Sequence, residues 1–382
     1  MPWCVRKCPY CDFNSYTLRG ELPESGYLEA LERDIEAQAV HVSGRTVISI
    51  FFGGGTPSLF APDAIGRVLG TARKHLDIAA DVEITLEANP GTIERGRFVG
   101  YRAAGINRVS LGAQTFDARQ LESLGRIHSP AETVVAAEEL HAAGLSNFNV
   151  DLMYALPGQD AKGAARDVDQ AIALAPAHIS HYQLTLEPGT PFAAKPPVLP
   201  ADDTAADMLT ACHERFARAD IAQYEVSAYA AAGRQCRHNR NYWEFGDYLG
   251  VGAGAHGKIT FAADGAIVRT TQQREPRRYQ SAQPSDLARQ PVAAPDLPFE
   301  FMLNTLRLTA GFEQSLFAAR TGLDWSAVEQ TLHSLEARAL VSSAGGRCRP
   351  TPLGLRFLND LLVEFLPQKP ALTGKRVMST GS

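Results

Sequence analysis

The sequence predicts a partial parallel (β/α)6 barrel of the TIM-like kind, followed by a small helical, winged-helix-like C-terminal domain. Three observations carry this expectation. Short β-branched or apolar runs alternate with amphipathic helical stretches between residues 22 and 190, the rhythm of parallel strands joined by crossover helices. Polar residues recur at the C-terminal ends of successive strands. Beyond residue 298 the pattern changes to helices around one short hairpin.

Five runs read as buried strands: "TVISIFF" (46–52), "DVEITLE" (81–87), "NRVSLGAQ" (107–114), "NFNVDLMY" (147–154) and "HISHYQL" (178–184). The intervening helices are "ESGYLEALERDIEAQAV", "APDAIGRVLGTARKHL", "TIERGRFVGYRAAG", "SPAETVVAAEELHAAG" and "DAKGAARDVDQAIALA". Several open on Ser, Asp or Pro and two close on Gly, the residues that cap helix ends. A doubly wound sheet shares this rhythm. The barrel is favoured because Gly53 to Thr56, Glu87, Gln114 and Asp151 stand at the ends of four successive strands, where a barrel builds its site.

The barrel is assigned to residues 1–190. A Pro/Ala-rich stretch, "PGTPFAAKPPVLPADDTAA" (188–206), opens a linking region, 191–298, with a helix around 202–219 and a strand "QYEVSAYA" (223–230). That region also holds "CRHNRNYWEFGDYLGVGAGAHG" (236–257) and ends in a second Pro/Gln-rich stretch, 272–298. The C-terminal domain, 299–366, is read as the helices "FEFMLNTLRL", "FEQSLFAARTGL", "WSAVEQTLHSLEARAL" and "PTPLGLRFLNDLLVEFL" with a hairpin in "VSSAGGRCRPT". Residues 367–382 read as a disordered tail.

Charge narrows the function. The 382 residues carry a formal net charge of -5, and residues 296–366 hold six Arg and no Lys against eight Asp or Glu. Neither balance suits a phosphate backbone, so nucleic acid is not expected as a partner and the C-terminal unit reads as a structural or lid domain. No apolar run approaches the roughly 18 residues of a membrane span, and the first residues show no basic n-region followed by an apolar stretch. A cytoplasmic protein is expected, with a homodimer open because an incomplete barrel leaves room for a partner.

Six cysteines occur, three of them in "CVRKCPYCDF" as Cys4, Cys8 and Cys11. Cys212, Cys236 and Cys348 are scattered and read as small buried hydrophobes. Structural zinc takes four ligands, usually as two CxxC pairs, and no second pair is present. A cubane iron–sulfur cluster held by three thiolates leaves its fourth iron open to an outside ligand.

CxxxCxxC with Tyr10 before its last cysteine resembles the signature of the radical S-adenosylmethionine (SAM) family. The resemblance implies a 4Fe-4S cluster on Cys4, Cys8 and Cys11, with SAM chelating the open iron. "GGGTPS" (53–58) then meets the methionyl end of SAM through Gly54, Gly55 and Thr56. "LEANPGT", "LGAQTF", "LGRIHS" and "VDLMYALPGQ" carry Glu87, Gln114, Arg126 and Asp151 to the remaining SAM contacts. Their chemistry suits an ammonium, ribose hydroxyls and a carboxylate.

Within that family the chain resembles the tetrapyrrole branch over nearly its whole length. One member class is the oxygen-independent coproporphyrinogen III oxidase of porphyrin biosynthesis, which decarboxylates two propionates; the other binds heme and passes it to an acceptor protein. The oxidase carries a further cysteine where this chain has Phe13. "HNRNYW" (238–243) resembles the heme-associated motif of the chaperone group, which implies His238 as an axial ligand, Tyr242 and Trp243 as apolar walls, and Arg237 or Arg240 for the propionates. His256 in "GAGAHG" reads as structural or as a second ligand. A heme chaperone is therefore expected, with the oxidase as the alternative. Family members carry an apolar strand just upstream of "PWC", where Met1 stands. A start site assigned too late explains the missing first strand; a chain starting at Met1 is expected to leave an open barrel edge and a cluster loop without an anchor.

Overall fold

The computed structural model describes residues 1–91, 96–261 and 263–367. The segment read as a tail lies, from residue 368, outside the described residues, as do the first residues of the helix read from Thr92.

Two short parallel strands, β1 (Trp3–Cys4) and β2 (Tyr16–Thr17), close the cysteine loop. Alternation then begins with α1 (Glu24–Ala39), β3 (Thr46–Phe52), α2 (Pro62–His75), β4 (Asp77–Ala88) and α3 (Phe98–Ala104). It continues through β5 (Arg108–Gln114), α4 (Ala118–Ser123), α5 (Pro130–Ala142), β6 (Phe148–Tyr154), α6 (Ala161–Ala173) and β7 (His178–Gln183). Local chemistry explains the boundaries. Ser129 and Glu132 form a capping box at α5, Asp160 caps α6 through the Gly163 N–H, and Gly105 ends α3 with φ 116°.

Strands β3 to β7 pair in parallel in chain order and curl into a half-barrel. Outward-facing Val109, Leu111, Val150, Leu152 and Ile179 are fully buried against the helices. That apolar layer is the main core, and it leaves the polar alternate residues facing the barrel interior.

After α7 (Pro191–Ala194) and α8 (Asp202–Arg218), the stretch expected to be one strand divides into a hairpin, β8 (Ala222–Glu225) and β9 (Ala228–Ala230). The reversal occurs because Glu225 turns its carboxylate back to accept from the Ser227 N–H at 3.1 Å. β9 pairs antiparallel with β7, so the barrel sheet has seven strands and draws two of them from beyond residue 190. Next come α9 (Arg237–Trp243), β10 (His256–Thr260), β11 (Ile267–Thr271), α10 (Pro276–Ser281) and β12 (Ala288–Pro291). "HNRNYW" is thus a helix, and it packs beside the outer strand β3.

The C-terminal unit comprises α11 (Leu297–Thr305), β13 (Phe312–Glu313), α12 (Gln314–Thr321), α13 (Ser326–Ala337), β14 (Val341–Ala344) and β15 (Arg347–Pro350). Three helices against a three-stranded sheet make the expected winged-helix-like form. Residues 350–366 form two helices rather than one, α14 (Pro352–Arg356) and α15 (Leu358–Val363), because Phe357 leaves helical geometry at ψ 37°. Its core of Phe301, Phe317 and Leu335 also recruits Phe245 and Ile267 from the linking region. Among the described residues no helix is long and apolar enough to cross a membrane.

Candidate functional site

The site begins where the chain's first residues meet the glycine loop after β3. The Met1 ammonium donates to the Gly53 carbonyl at 2.8 Å, the Gly55 N–H to the Met1 carbonyl at 2.8 Å, and the Thr56 N–H to the Trp3 carbonyl at 2.7 Å. A parallel ladder therefore extends the β3 line into the cysteine segment. Gly54 takes φ 113°, and a Cβ on Gly55 would lie 2.5 Å from the Trp3 carbonyl, so both positions need glycine. The expectation that a chain starting at Met1 leaves the cluster loop unanchored is overturned. β3 is the outer strand of the seven-stranded sheet.

The ladder holds the three cysteines at the barrel mouth. Trp3 is buried against Tyr27 and Phe60, and Lys7 donates to the carbonyls of Phe13 and Ser15 at 3.0 and 3.2 Å, curling the loop on itself. Cys4, Cys8 and Cys11 are free, half-buried thiols. Burial pushes the Cys4 and Cys11 thiols up, and each feels the other thiols nearby. Among the described residues no three His, Cys, Asp or Glu side chains converge tightly enough for a single metal ion. A cubane, which takes one thiolate on each of three irons, fits this looser triad of unpaired thiols.

The remaining predicted SAM residues ring the same mouth. Glu87, at the end of β4, accepts from the Gly54 N–H at 3.1 Å; burial and the nearby Asp151 carboxylate raise its pKa to about 7. Asp151 on β6 accepts from Ser110 at 3.1 Å and Asn149 at 2.8 Å, while burial pushes its pKa up. Gln114 ends β5 in the left-handed region, φ 69°, at an irregularity in the β5–β6 register that turns its amide toward Gly112. Arg126 donates to the Asn89 side chain and the Gly112 carbonyl at 2.6 Å each and to the Cys8 sulfur at 3.8 Å. Its Nε is buried without a partner, a free donor beside the thiols. Tyr10 packs with Leu124, Met153 and Phe192, and burial raises its phenol. The set offers buried carboxylates for a cation, an arginine for a carboxylate, and a glycine-lined backbone edge.

Sequence reasoning passed over the residues that support this ring. Asn89 bridges Arg126 to the Thr56 hydroxyl at 3.0 Å. His178 donates through Nδ1 to the Asn149 side-chain oxygen at 2.6 Å and accepts at Nε2 from the Tyr224 hydroxyl at 2.9 Å, and the Asn149 amide N–H in turn donates to Asp151. Polar residues at every second position of "HISHYQL", His178, Ser180 and Tyr182, were the available signal, since period two separates an inward face from the core face.

A pocket of about 910 Å³ runs from Glu87 and Gly53 along the open edge of β3 to Arg45, Asp247 and Arg320. His238 and Tyr242 line it. The His238 ring stacks on Phe51 with centroids 4.4 Å apart, and burial lowers its pKa to about 4, so the imidazole is neutral at pH 7. The Glu83 carboxylate accepts from the His238 backbone N–H at 3.2 Å and anchors the start of α9. His256 lines the same pocket, with Nδ1 3.2 Å from the Thr271 hydroxyl. Cys212, Cys236 and Cys348 are buried as expected.

Three expected heme contacts lie elsewhere. Trp243 packs under the Arg307 guanidinium, 4.3 Å from ring centroid, and faces Tyr224 and Leu308 rather than the pocket. Arg237 is paired with Asp81 at 2.8 Å, and Arg240 with Glu244 one helical turn away. Neither arginine is free for a propionate.

The family model of the Radical SAM superfamily matches residues 1–171, and that of the HemN C-terminal domain matches residues 292–357. The heme chaperone HemW of Escherichia coli K12 is 47% identical over 96% of this chain and 97% of its own length. HemW of Haemophilus influenzae is 44% identical over 97% of each chain, and HemW of Mycobacterium tuberculosis 36% identical over 96% of this chain and 93% of its own. Among solved structures, the radical SAM enzyme coproporphyrinogen III oxidase (HemN) of E. coli superimposes with a TM-score of 0.79 at 23% identity, covering 96% of this chain and 88% of that one.

Proposed function

The chain belongs to the HemW family of heme chaperones within the radical SAM superfamily, and from that premise we propose that it binds one heme beside His238 and passes it to an acceptor protein. The observation that carries this reading is the neutral His238 imidazole of the "HNRNYW" helix α9, stacked on Phe51. A neutral imidazole is the form that ligates iron, and Tyr242 supplies an apolar face next to it.

Membership of the superfamily implies a 4Fe-4S cluster and SAM. Cys4, Cys8 and Cys11 are the thiolates for the cluster; Glu87, Gln114, Arg126 and Asp151, with the Gly54 to Thr56 loop and Tyr10, are the contacts for SAM. When bound, the pair supplies one-electron chemistry at the barrel mouth. This chain's residues then have three tasks: Glu87 takes the SAM ammonium, Arg126 a carboxylate, and the glycine loop meets the methionyl end of SAM. Delivery of heme in the cytoplasm is part of the same reading. Decarboxylation of coproporphyrinogen III is the competing reading, and the likeness to the solved oxidase is one of fold.

An anaerobic heme titration of the cluster-reconstituted protein, followed by its Soret band, tests the proposal. Saturation at one heme per chain, with a weakened or shifted band in His238→Ala, is the expected result. A cluster-loaded, SAM-binding protein that takes up no heme but turns over coproporphyrinogen III would overturn it.

A further inference from the structure

The buried face of α6 is built from Ala164, Ala165, Val168 and Ala171, with one exception. Asp167, only 5% exposed, puts a carboxylate into that alanine face. A buried carboxylate is costly unless its oxygens are taken up, and here both are. Oδ1 accepts from the Phe116 backbone N–H at 2.8 Å; Oδ2 accepts from the Thr115 hydroxyl at 2.8 Å and from the Gln159 amide at 3.2 Å. Burial raises its pKa to about 6, so at pH 7 the group is ionised and both oxygens accept.

These partners belong to two loops at the barrel mouth. Thr115 and Phe116 directly follow Gln114, and the Thr115 N–H reaches back to the Ala113 carbonyl at 2.9 Å, closing a three-residue turn with Gln114 at its centre and φ 69°. Such a turn is strained for an L-residue and persists only where its surroundings impose it. Asp167 imposes it, because its carboxylate grips the two residues on the far side of the turn. The turn aims Gln114 at the site. A Cβ placed on Gly112 would meet the Gln114 amide nitrogen at 3.0 Å and the Arg126 guanidinium at 3.3 Å, so these two side chains converge over Gly112. Gln159 stands in the loop after β6. Its side-chain oxygen accepts from the Leu156 N–H at 3.2 Å, and Leu156 packs with Leu124 and Met153 in the cluster on which Tyr10 rests.

We propose that Asp167 is a positioning residue for SAM: from the outer layer of the barrel it latches the loops after β5 and β6 together and holds the Gln114 amide in its binding orientation. This rests on the reading of Gln114 as a SAM contact. A carboxylate that only stabilised the fold would act on SAM affinity independently of Gln114. A latch acts through it, so that removing the latch and removing the amide delete the same interaction.

Equilibrium dialysis of SAM against the cluster-reconstituted full-length chain tests this, with Asp167→Asn, Gln114→Ala, Thr115→Val and the two double variants that combine Gln114→Ala with each of the others. Iron assays express binding per cluster, and thermal melts report folding. Asp167→Asn keeps the shape and one accepting oxygen but turns an amide N–H toward a donor. It should bind SAM on the order of tenfold more weakly, as loss of a hydrogen bond to a charged group implies. Gln114→Ala should lose as much, and the Asp167→Asn double variant no more than Gln114→Ala alone. Thr115→Val, which removes only the hydroxyl, should lose less by itself and nothing further beside Gln114→Ala; it carries the test if Asp167→Asn melts too low to titrate. Wild-type affinity in Asp167→Asn, or losses that multiply in the double variants, overturns the Asp167 assignment and leaves SAM binding intact. Wild-type affinity in Gln114→Ala overturns the reading of Gln114 as a contact, and the Asp167 assignment with it.

Discussion

The imidazole of His238 lies nearly flat on the ring of Phe51, 16° from parallel with centroids 4.4 Å apart, so a residue of α9 is indexed to the outer strand of the barrel. Tyr242, one helical turn on, meets the same imidazole edge-on at 4.5 Å. Removing the stacking partner by Phe51→Ala should leave the imidazole present but unaligned. Aromatic pairs of this kind are worth about 1 kcal/mol, so heme affinity should fall roughly fivefold. Iron content should not change. A titration beside an iron assay checks both.

The pH profile of heme binding should report the burial of His238. Its folded pKa is lowered to about 4, so the ligating form persists down to about pH 5 and affinity should drop only as pH falls through 4. Stability behaves differently. Between the unfolded value near 6.5 and the folded value near 4 the unfolded chain binds the extra proton, so this group's contribution is full above about 6.5 and declines as pH falls toward 4. His128, lowered to about 4, and His181, lowered to about 3, act in the same direction. Heme titrations and thermal melts between pH 4.5 and 8 should therefore diverge: melting temperature falls across a range in which affinity stays level.

SAM affinity should titrate near neutrality. Glu87 has a pKa raised to about 7 by burial and by Asp151, and only its ionised form complements an ammonium. Affinity should then rise with pH through 7, and fall about tenfold per unit well below it. Glu87→Gln should abolish that slope and bind SAM weakly at every pH. Equilibrium dialysis of SAM at pH 6, 7 and 8 measures it.

Gly55→Ala should displace the cluster loop, because the new methyl would sit 2.5 Å from the Trp3 carbonyl and break the ladder to Thr56. Overpacking of this kind costs about 1–3 kcal/mol. Iron retained after anaerobic gel filtration should drop sharply, whereas Gly70→Ala, at an open position on α2, should retain it.

Much of this was readable in advance where period and chemistry coincide. The parallel strands showed as apolar runs, and Glu87 and Gln114 stand at strand ends as expected, whereas Asp151 lies in the middle of β6 with its side chain on the inward face. Trp243 was expected as a second apolar wall beside Tyr242. In a helix, His238 and Tyr242 are four apart and share a face, while Trp243 is rotated away toward Arg307. The Arg240–Glu244 pair, also four apart, could have been foreseen by the same step. Asn89 and the His178–Asn149–Asp151 chain could not, since they depend on side chains meeting across strands far apart in sequence.

The core shared between Phe301, Phe317 and Leu335 of the C-terminal unit and Phe245 and Ile267 of the linking region has a practical corollary for anyone dividing the molecule. A cut at residue 298 strips that core of two buried side chains and leaves their places open to water. The C-terminal unit is consequently not a detachable module: a fragment meant to stand alone has to start upstream of Phe245.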